Sequence, residues 1–289
     1  MIGSSELIIN PDGSVFHLHL KPEQVADTVI LVGDPGRVDL VAEHLEKKEA
    51  KTQNREFASV TGRCHGQPVT VVSTGIGTDN IDIVLNELDA LVNIDFKTRE
   101  IKEKLRSLNI IRIGTSGSLS DQLDLNDFVV SRKAVGFDGL LNFYAGRGSV
   151  TDADLEYQLK NHLEWSPLLP SPYVVDCSAS LFEKVKGSKI SSGITVSAPG
   201  FYGPQGRVLR LDIADPEINK KISSFYYNDQ RILNYEMECS AVYGLAALLG
   251  HQALTACLVI TNRTEKKANI DYHGKMNTLI ELVLNRLTS

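Results

Sequence analysis

The sequence predicts an α/β fold with a largely buried, mostly parallel or mixed sheet, and three observations carry that prediction. Short apolar runs rich in β-branched residues recur along the chain, helical patterns separate several of them, and each run ends near glycine, serine or threonine. No internal repeat, low-complexity tract or proline-rich linker interrupts the 289 residues, so one domain covering 1–289 is expected.

Taken in order, the first strand is TVILVG (28–33), followed by the helical pattern RVDLVAEHL (37–45). PVTVVST (68–74) is a second strand, and NIDIVLNELDALV (80–92) repeats its apolar residues at helical spacing, with Asn80 read as the N-cap. NIIRIGT (109–115), DFVVS (127–131), GITVSA (193–198) and ALTACLVIT (253–261) are further strands. MECSAVYGLAALLG (237–250) and the terminal MNTLIELVLNRL (276–287) read as helices. WSPLLPSPY (165–173) is the best candidate for a break in the chain, and a surface loop explains it more cheaply. FHLHL (16–20), if extended, sets His17 and His19 on one face.

A net charge of -6 argues against a general nucleic-acid surface, which favours a broad basic patch. No apolar run approaches the roughly 20 residues that span a bilayer. The opening MIGSSELIINPDGS lacks both the basic and the apolar region of a secretory signal, so a cytoplasmic location with no membrane partner is expected. Cys64, Cys177, Cys239 and Cys257 are scattered without C-x-x-C spacing, which indicates reduced, mostly buried thiols rather than a zinc site or disulfides. The other histidines fall in no spacing that would make His17 and His19 metal ligands, so no metal is expected.

Loops at the carboxyl ends of the strands are where an α/β protein binds ligands. GDPGR (33–37) combines a strand end, a tight turn and a helix start, so its backbone N–H groups and Arg37 suit a phosphate; an ordinary Pro-Gly turn explains it equally well. GIGTDN (75–80) opens like a dinucleotide fingerprint, but Asn80 stands where the third glycine belongs. RIGTSG (112–117) puts an arginine inside an otherwise apolar strand, where it needs either a bound dianion or a buried carboxylate. Arg55 in NREF (54–57) is by itself a solvated charge. Glu236 and Glu238 in YEME (235–238) suit either the positive end of a helix or the vicinal hydroxyls of a sugar. In FYGPQGR (201–207), Gln205 carries an amide donor and acceptor and Arg207 a fork of donors, together suited to a flat ring with carbonyls and an N–H, such as a pyrimidine base.

In chain order, FHL, GDPGR, NREF, GIG, RIGTSG, FYGPQGR, YEME and ITNRT resemble the nucleoside phosphorylase family, in its uridine phosphorylase branch, from residue 16 to residue 264. The resemblance implies a single three-layer α/β/α domain with a central mixed sheet and no cofactor, inorganic phosphate being a co-substrate. It implies a pentosyltransferase: reversible phosphorolysis of uridine to uracil and ribose 1-phosphate, a pyrimidine-salvage reaction, with deoxyuridine and thymidine left open as substrates. Carried over by position, it gives Gly33, Arg37, Arg112 and Thr115 to the phosphate, with Arg55 arriving from a neighbouring subunit. His17 (also across the dimer), Glu236, Met237 and Glu238 go to the ribose, and Phe201, Gln205, Arg207, Ile260 and Thr261 to the base. Arg37, Arg55, Arg112 and Arg207 are the residues expected to carry the catalysis, and a homodimer, alone or repeated into a hexamer, is the implied active unit.

Two departures from the family pattern stand out. Thr78, Asp79 and Asn80 follow GIG where many relatives have a small residue, proline and serine, and Asp79 is expected to point away from the phosphate. After the late strand the purine branch typically has an aspartate, and this chain has Asn262 and Arg263.

Overall fold

The computed structural model describes residues 1–288. The first apolar run forms β1 (Thr28–Val32), and α1 (Pro35–Ala42) starts three residues later behind the cap Asp34, whose Oδ1 accepts the Gly36 N–H at 2.8 Å. Next come β2 (Thr52–Asn54), β3 (Phe57–Cys64), β4 (Gln67–Ser73) and α2 (Thr78–Asn93). A small hairpin, β5 (Ile94–Asp95) and β6 (Glu100–Ile101), leads to the long β7 (Asn109–Ser118) and β8 (Phe128–Gly136). α3 (Ala153–Leu163), β9 (Tyr173–Asp176), α4 (Ala179–Val185) and β10 (Ser191–Ser197) follow. The last third contains α5 (Ile218–Ser223), β11 (Tyr226–Tyr227), β12 (Gln230–Glu236), α6 (Cys239–Leu249), β13 (Gln252–Asn262), β14 (Lys267–Ala268) and α7 (His273–Thr288).

The main sheet runs β11-β12-β10-β8-β13-β7-β1-β4-β3-β2, with β9 on β8 and β14 on β13. It is mixed: β1 pairs parallel with β4 and β7, and β13 parallel with β7 but antiparallel with β8. Alternation along the strands fills two cores. Val29, Leu31 and Ile110 pack on the face covered by α2 and α6, and Ile30, Val32, Ile111 and Ile113 on the face covered by α1, α4 and α7. The three layers are therefore a consequence of strands that are apolar on both faces.

Several local expectations change. Phe16–Leu20 is not extended: it turns, with His19 in the left-handed region at φ 52, so His17 and His19 do not share a strand face. The turn is held by Glu87 of α2, which accepts the backbone N–H of His17 and of Leu18 and pairs with the His17 ring at 2.6 Å. Asn80 is not a cap either, because α2 begins at Thr78 with Gly77 in the cap position. The WSPLLPSPY stretch is the connection between α3 and β9. Cys64, Cys239 and Cys257 are buried, Cys177 is partly so, and all four are free. Among the described residues no helix is long and apolar enough to cross a membrane.

Candidate active site

Loops at the carboxyl ends of β1, β4, β7, β12 and β13 surround a cavity of about 680 Å³. Of the residues singled out from sequence, Gly33, Arg37, Arg112, Thr115, Phe201, Gln205, Arg207, Glu236, Met237, Glu238, Ile260 and Thr261 all line it. His17 and Arg55 do not. Arg55 is exposed at the two-residue turn between β2 and β3, at φ 54, while its neighbour Glu56 lines the cavity. Asp79 is exposed and outside the lining, as expected of a carboxylate beside an anion site.

Arg112 sits in the middle of β7 and is 4% exposed. Its guanidinium folds back over Gly114, where a Cβ would lie 2.2 Å from Nη1, so only glycine leaves the room. Of the two partners open from sequence, the carboxylates are the ones present: Nη1 pairs with Glu236 Oε2 at 3.1 Å, and Nη2 with Glu238 Oε2. Burial works against the charge on Arg112, but the attraction of Glu238 and then Glu236 outweighs it, so the proton is held more firmly than usual.

The two carboxylates divide their roles. Glu236 was expected beside the sugar, yet both its oxygens are engaged by protein. Oε1 accepts from Ser197 Oγ at 2.5 Å, and Oε2 accepts the N–H groups of Glu238 and Cys239, each at 2.9 Å, besides Arg112. It thus caps α6 and anchors Arg112, with its oxygens engaged by protein although the residue lines the cavity. Burial pushes Glu236 up to about 7, against the pull of Arg112 and with the repulsion of Glu238, because two buried carboxylates share one guanidinium. Glu238 is held by Arg112 and by the Gly77 N–H, which donates to its Oε1 at 2.8 Å.

Gly77 makes that last contact from φ 98 and ψ 162, a region essentially restricted to glycine. A Cβ there would also lie 2.7 Å from Asp79 Oδ1. Gly77→Ala is expected to destabilise the fold by about 1–3 kcal/mol in urea unfolding. A loss under about 0.5 kcal/mol would mean that the backbone adopts an ordinary conformation without cost.

At the other end of the cavity the residues are rich in donors. Arg207 Nη1 donates to Gln205 Oε1 at 2.6 Å and to the Phe201 carbonyl at 2.5 Å, and its guanidinium lies 3.7 Å over the Phe201 ring. Arg263 Nη2 reaches the Gln205 carbonyl at 3.0 Å and Oε1 at 3.3 Å. Both cations therefore face the amide oxygen of Gln205, which turns its Nε2 the other way. Burial, and then repulsion by Arg263, brings Arg207 down to about 10. Burial likewise loosens the proton on Arg263 and on Arg37. Arg37 is 9% exposed, and its side chain donates one long hydrogen bond, from Nη1 to the Ile113 carbonyl at 3.4 Å, among the described residues. Among the described residues, no carboxylate lies within ion-pair distance of Arg37, Arg207 or Arg263.

Sequence reasoning gave no role to Ser116 or Tyr235, whose buried hydroxyls have no partner although both residues line the cavity, nor to Tyr272 at its rim. Arg263 was noted only as a replacement for the purine-branch aspartate. For Tyr235 the signal was within reach, since it precedes Glu236 in YEME. The segment 210–230 also touches the site: Asn219, on α5, donates to the Gln205 carbonyl at 3.2 Å.

A sheet of this order, with a cavity joining a strand arginine, paired carboxylates and a Gln-Arg pair, defines a nucleoside-processing α/β/α enzyme. The chain belongs to the phosphorylase superfamily, whose family model matches residues 27–287. It is 30% identical to the uridine phosphorylase of Haemophilus influenzae over 88% of each chain, and 29% identical to that of Thermococcus kodakarensis over 90% of this chain and 82% of the relative. Its fold is similar to that of a Trypanosoma brucei nucleoside phosphorylase described as showing uridine phosphorylase activity, with a TM-score of 0.88, 30% identity, and coverage of 97% of this chain and 99% of that one.

Proposed function

We propose that the protein is a uridine phosphorylase, a pentosyltransferase that cleaves uridine with inorganic phosphate to uracil and ribose 1-phosphate. The observation that carries the reading is the charge distribution at the cavity: among the described residues Arg37 and Arg207, which line it, lack carboxylate partners, as does Arg263 bonded to Gln205, while the lining carboxylate Glu238 is paired with Arg112. A buried cation such as Arg37, and to a lesser degree the half-buried Arg207 and Arg263, is costly without a counter-ion unless a ligand supplies the negative charge. Phosphate supplies it at Arg37, beside Gly33, Thr115 and Arg112. At the other end the departing uracil anion supplies it to Arg207.

The mechanism needs no covalent enzyme intermediate and no cofactor. Arg37 and Arg112 orient the phosphate towards C1′ of the ribose as the glycosidic bond lengthens, and positioning of this kind lowers the barrier by several kcal/mol. Glu238 accepts hydrogen bonds from the ribose hydroxyls, with Met237 against the sugar. Phe201, Ile260 and Thr261 pack about the base, and Gln205 Nε2 donates to a ring carbonyl. As negative charge grows on that ring, Arg207 stabilises it more in the transition state than in the ground state.

The test is to follow the absorbance of uridine with and without phosphate. Loss that requires phosphate is expected; loss without it would make the protein a nucleosidase using water, and no loss would leave a nucleoside-binding protein.

Arg55 and His17 belong to the same proposal as residues lent by the partner in a two-fold dimer, a reading motivated by the place of both outside the cavity of their own chain, Arg55 being exposed. Arg55→Ala and Arg37→Ala proteins are each expected to be nearly inactive. When the two are unfolded and refolded together, activity should return to roughly one quarter of wild type, because half the dimers then carry one intact site of two. Mixed dimers without recovered activity would remove Arg55 from the neighbour's site.

A further inference from the structure

Tyr272 is the residue immediately before α7, some 235 positions after Arg37, and the fold brings it to the rim of the cavity beside Gly33, Asp34, Pro35 and Arg37. It is partly buried, packs against the apolar core beneath α1 and α7, and stacks on the His273 ring at 5.3 Å with the planes 14° apart. The ring is thus held in place by two apolar contacts. Its backbone carbonyl accepts the Met276 N–H at 2.9 Å, which fixes the entry into α7. The phenol stands within electrostatic reach of the Arg37 guanidinium, and among the described residues no group bonds its hydroxyl.

We infer that Tyr272 is a phosphate-binding residue, its hydroxyl donating a hydrogen bond to an oxygen of the anion held by Arg37. The inference rests on the proposed phosphorolysis for the identity of the anion. A neutral donor fits this place because Arg37 and Arg112 are already two like charges at the same end of the cavity. A phenol adds a bond to the dianion without adding a third cation to be buried when the site is empty. Tyr272 reaches the cavity from the start of α7, whereas Thr115 and Arg112 reach it from β7, so the phenol comes from a different element than the other groups assigned to the anion.

Tyr272→Phe tests this, because phenylalanine keeps the packing and the stack on His273 and removes only the hydroxyl. The KM for phosphate in uridine phosphorolysis is expected to rise roughly tenfold, the loss typical of one hydrogen bond to a charged group, while the KM for uridine stays within about twofold. An unchanged phosphate KM, or an equal rise in both KM values, would overturn the inference. Calorimetric titration with inorganic phosphate separates this outcome from failure of the functional reading. If wild type does not cleave uridine, phosphorolysis is wrong, but a roughly tenfold weaker phosphate affinity of Tyr272→Phe still supports the contact. Equal affinities, or no phosphate binding by wild type, overturn it.

Discussion

Cytidine is expected to be cleaved about 10⁴-fold more slowly than uridine, compared as kcat/KM, because a site built around hydrogen bonds rejects a ligand that leaves them unmade. The base end of the cavity presents the guanidinium of Arg207, which donates and cannot accept, and Arg263 donates to the same Gln205 amide oxygen that Arg207 engages. The 4-carbonyl of uracil accepts from such groups, whereas the 4-amino group of cytosine brings donor against donor. The ring N3 is also reversed, from an N–H to a lone pair, opposite the Gln205 amide oxygen. Two mismatches in a half-buried site account for the size of the ratio. Uridine and cytidine rates within tenfold of each other would show that Gln205 and Arg207 do not read the base.

Arg207→Ala is expected to lower kcat by about 10²–10³, the range found when one donor to a developing negative charge is removed. Its guanidinium has no carboxylate partner and is already a reluctant cation at about 10, so in the resting protein it is an unneutralised charge aimed at the base end. Arg207→Lys should recover only part of the loss, because a lysine retains the charge but not the planar fork that meets both Gln205 and the Phe201 ring. A fall in kcat below tenfold for the alanine protein, at unchanged folding stability, would assign the base charge to Arg263 instead.

Much of the site was legible because its residues sit in short strand-end motifs. GDPGR and RIGTSG each join a β-branched run to small turn residues, and such loops lie at the carboxyl edge of a sheet where ligands bind. Twelve of the fourteen residues assigned from sequence line one cavity for that reason. The two exceptions, His17 and Arg55, are the residues assigned to a neighbouring subunit. Local conformation was less legible. FHLHL alternates as a strand does, but Glu87, seventy positions away, gathers its backbone N–H groups into a turn. Asn80 has the chemistry of a cap, yet the cap lies three residues earlier, at Gly77, which adopts a backbone conformation asparagine rarely does.

By itself, then, the sequence determined the class of fold and the chemical kinds of group at the site: apolar alternation on both faces requires helices on both sides of a sheet, and amide, guanidinium and carboxylate groups have fixed donor and acceptor capacities wherever they lie. Tertiary structure alone decided which groups remain available to a ligand. From sequence Arg112 was open to a dianion or a carboxylate, and the approach of β12 and α6 to β7 gave it Glu236 and Glu238; Glu236 in turn accepts from Ser197 and the first amides of α6. Arg37 was left without a carboxylate, and Tyr272 arrived beside it from the far end of the chain. The physical reason is that a charge in water is nearly indifferent to its neighbours, whereas a buried one is governed by whichever few groups the packing brings within reach.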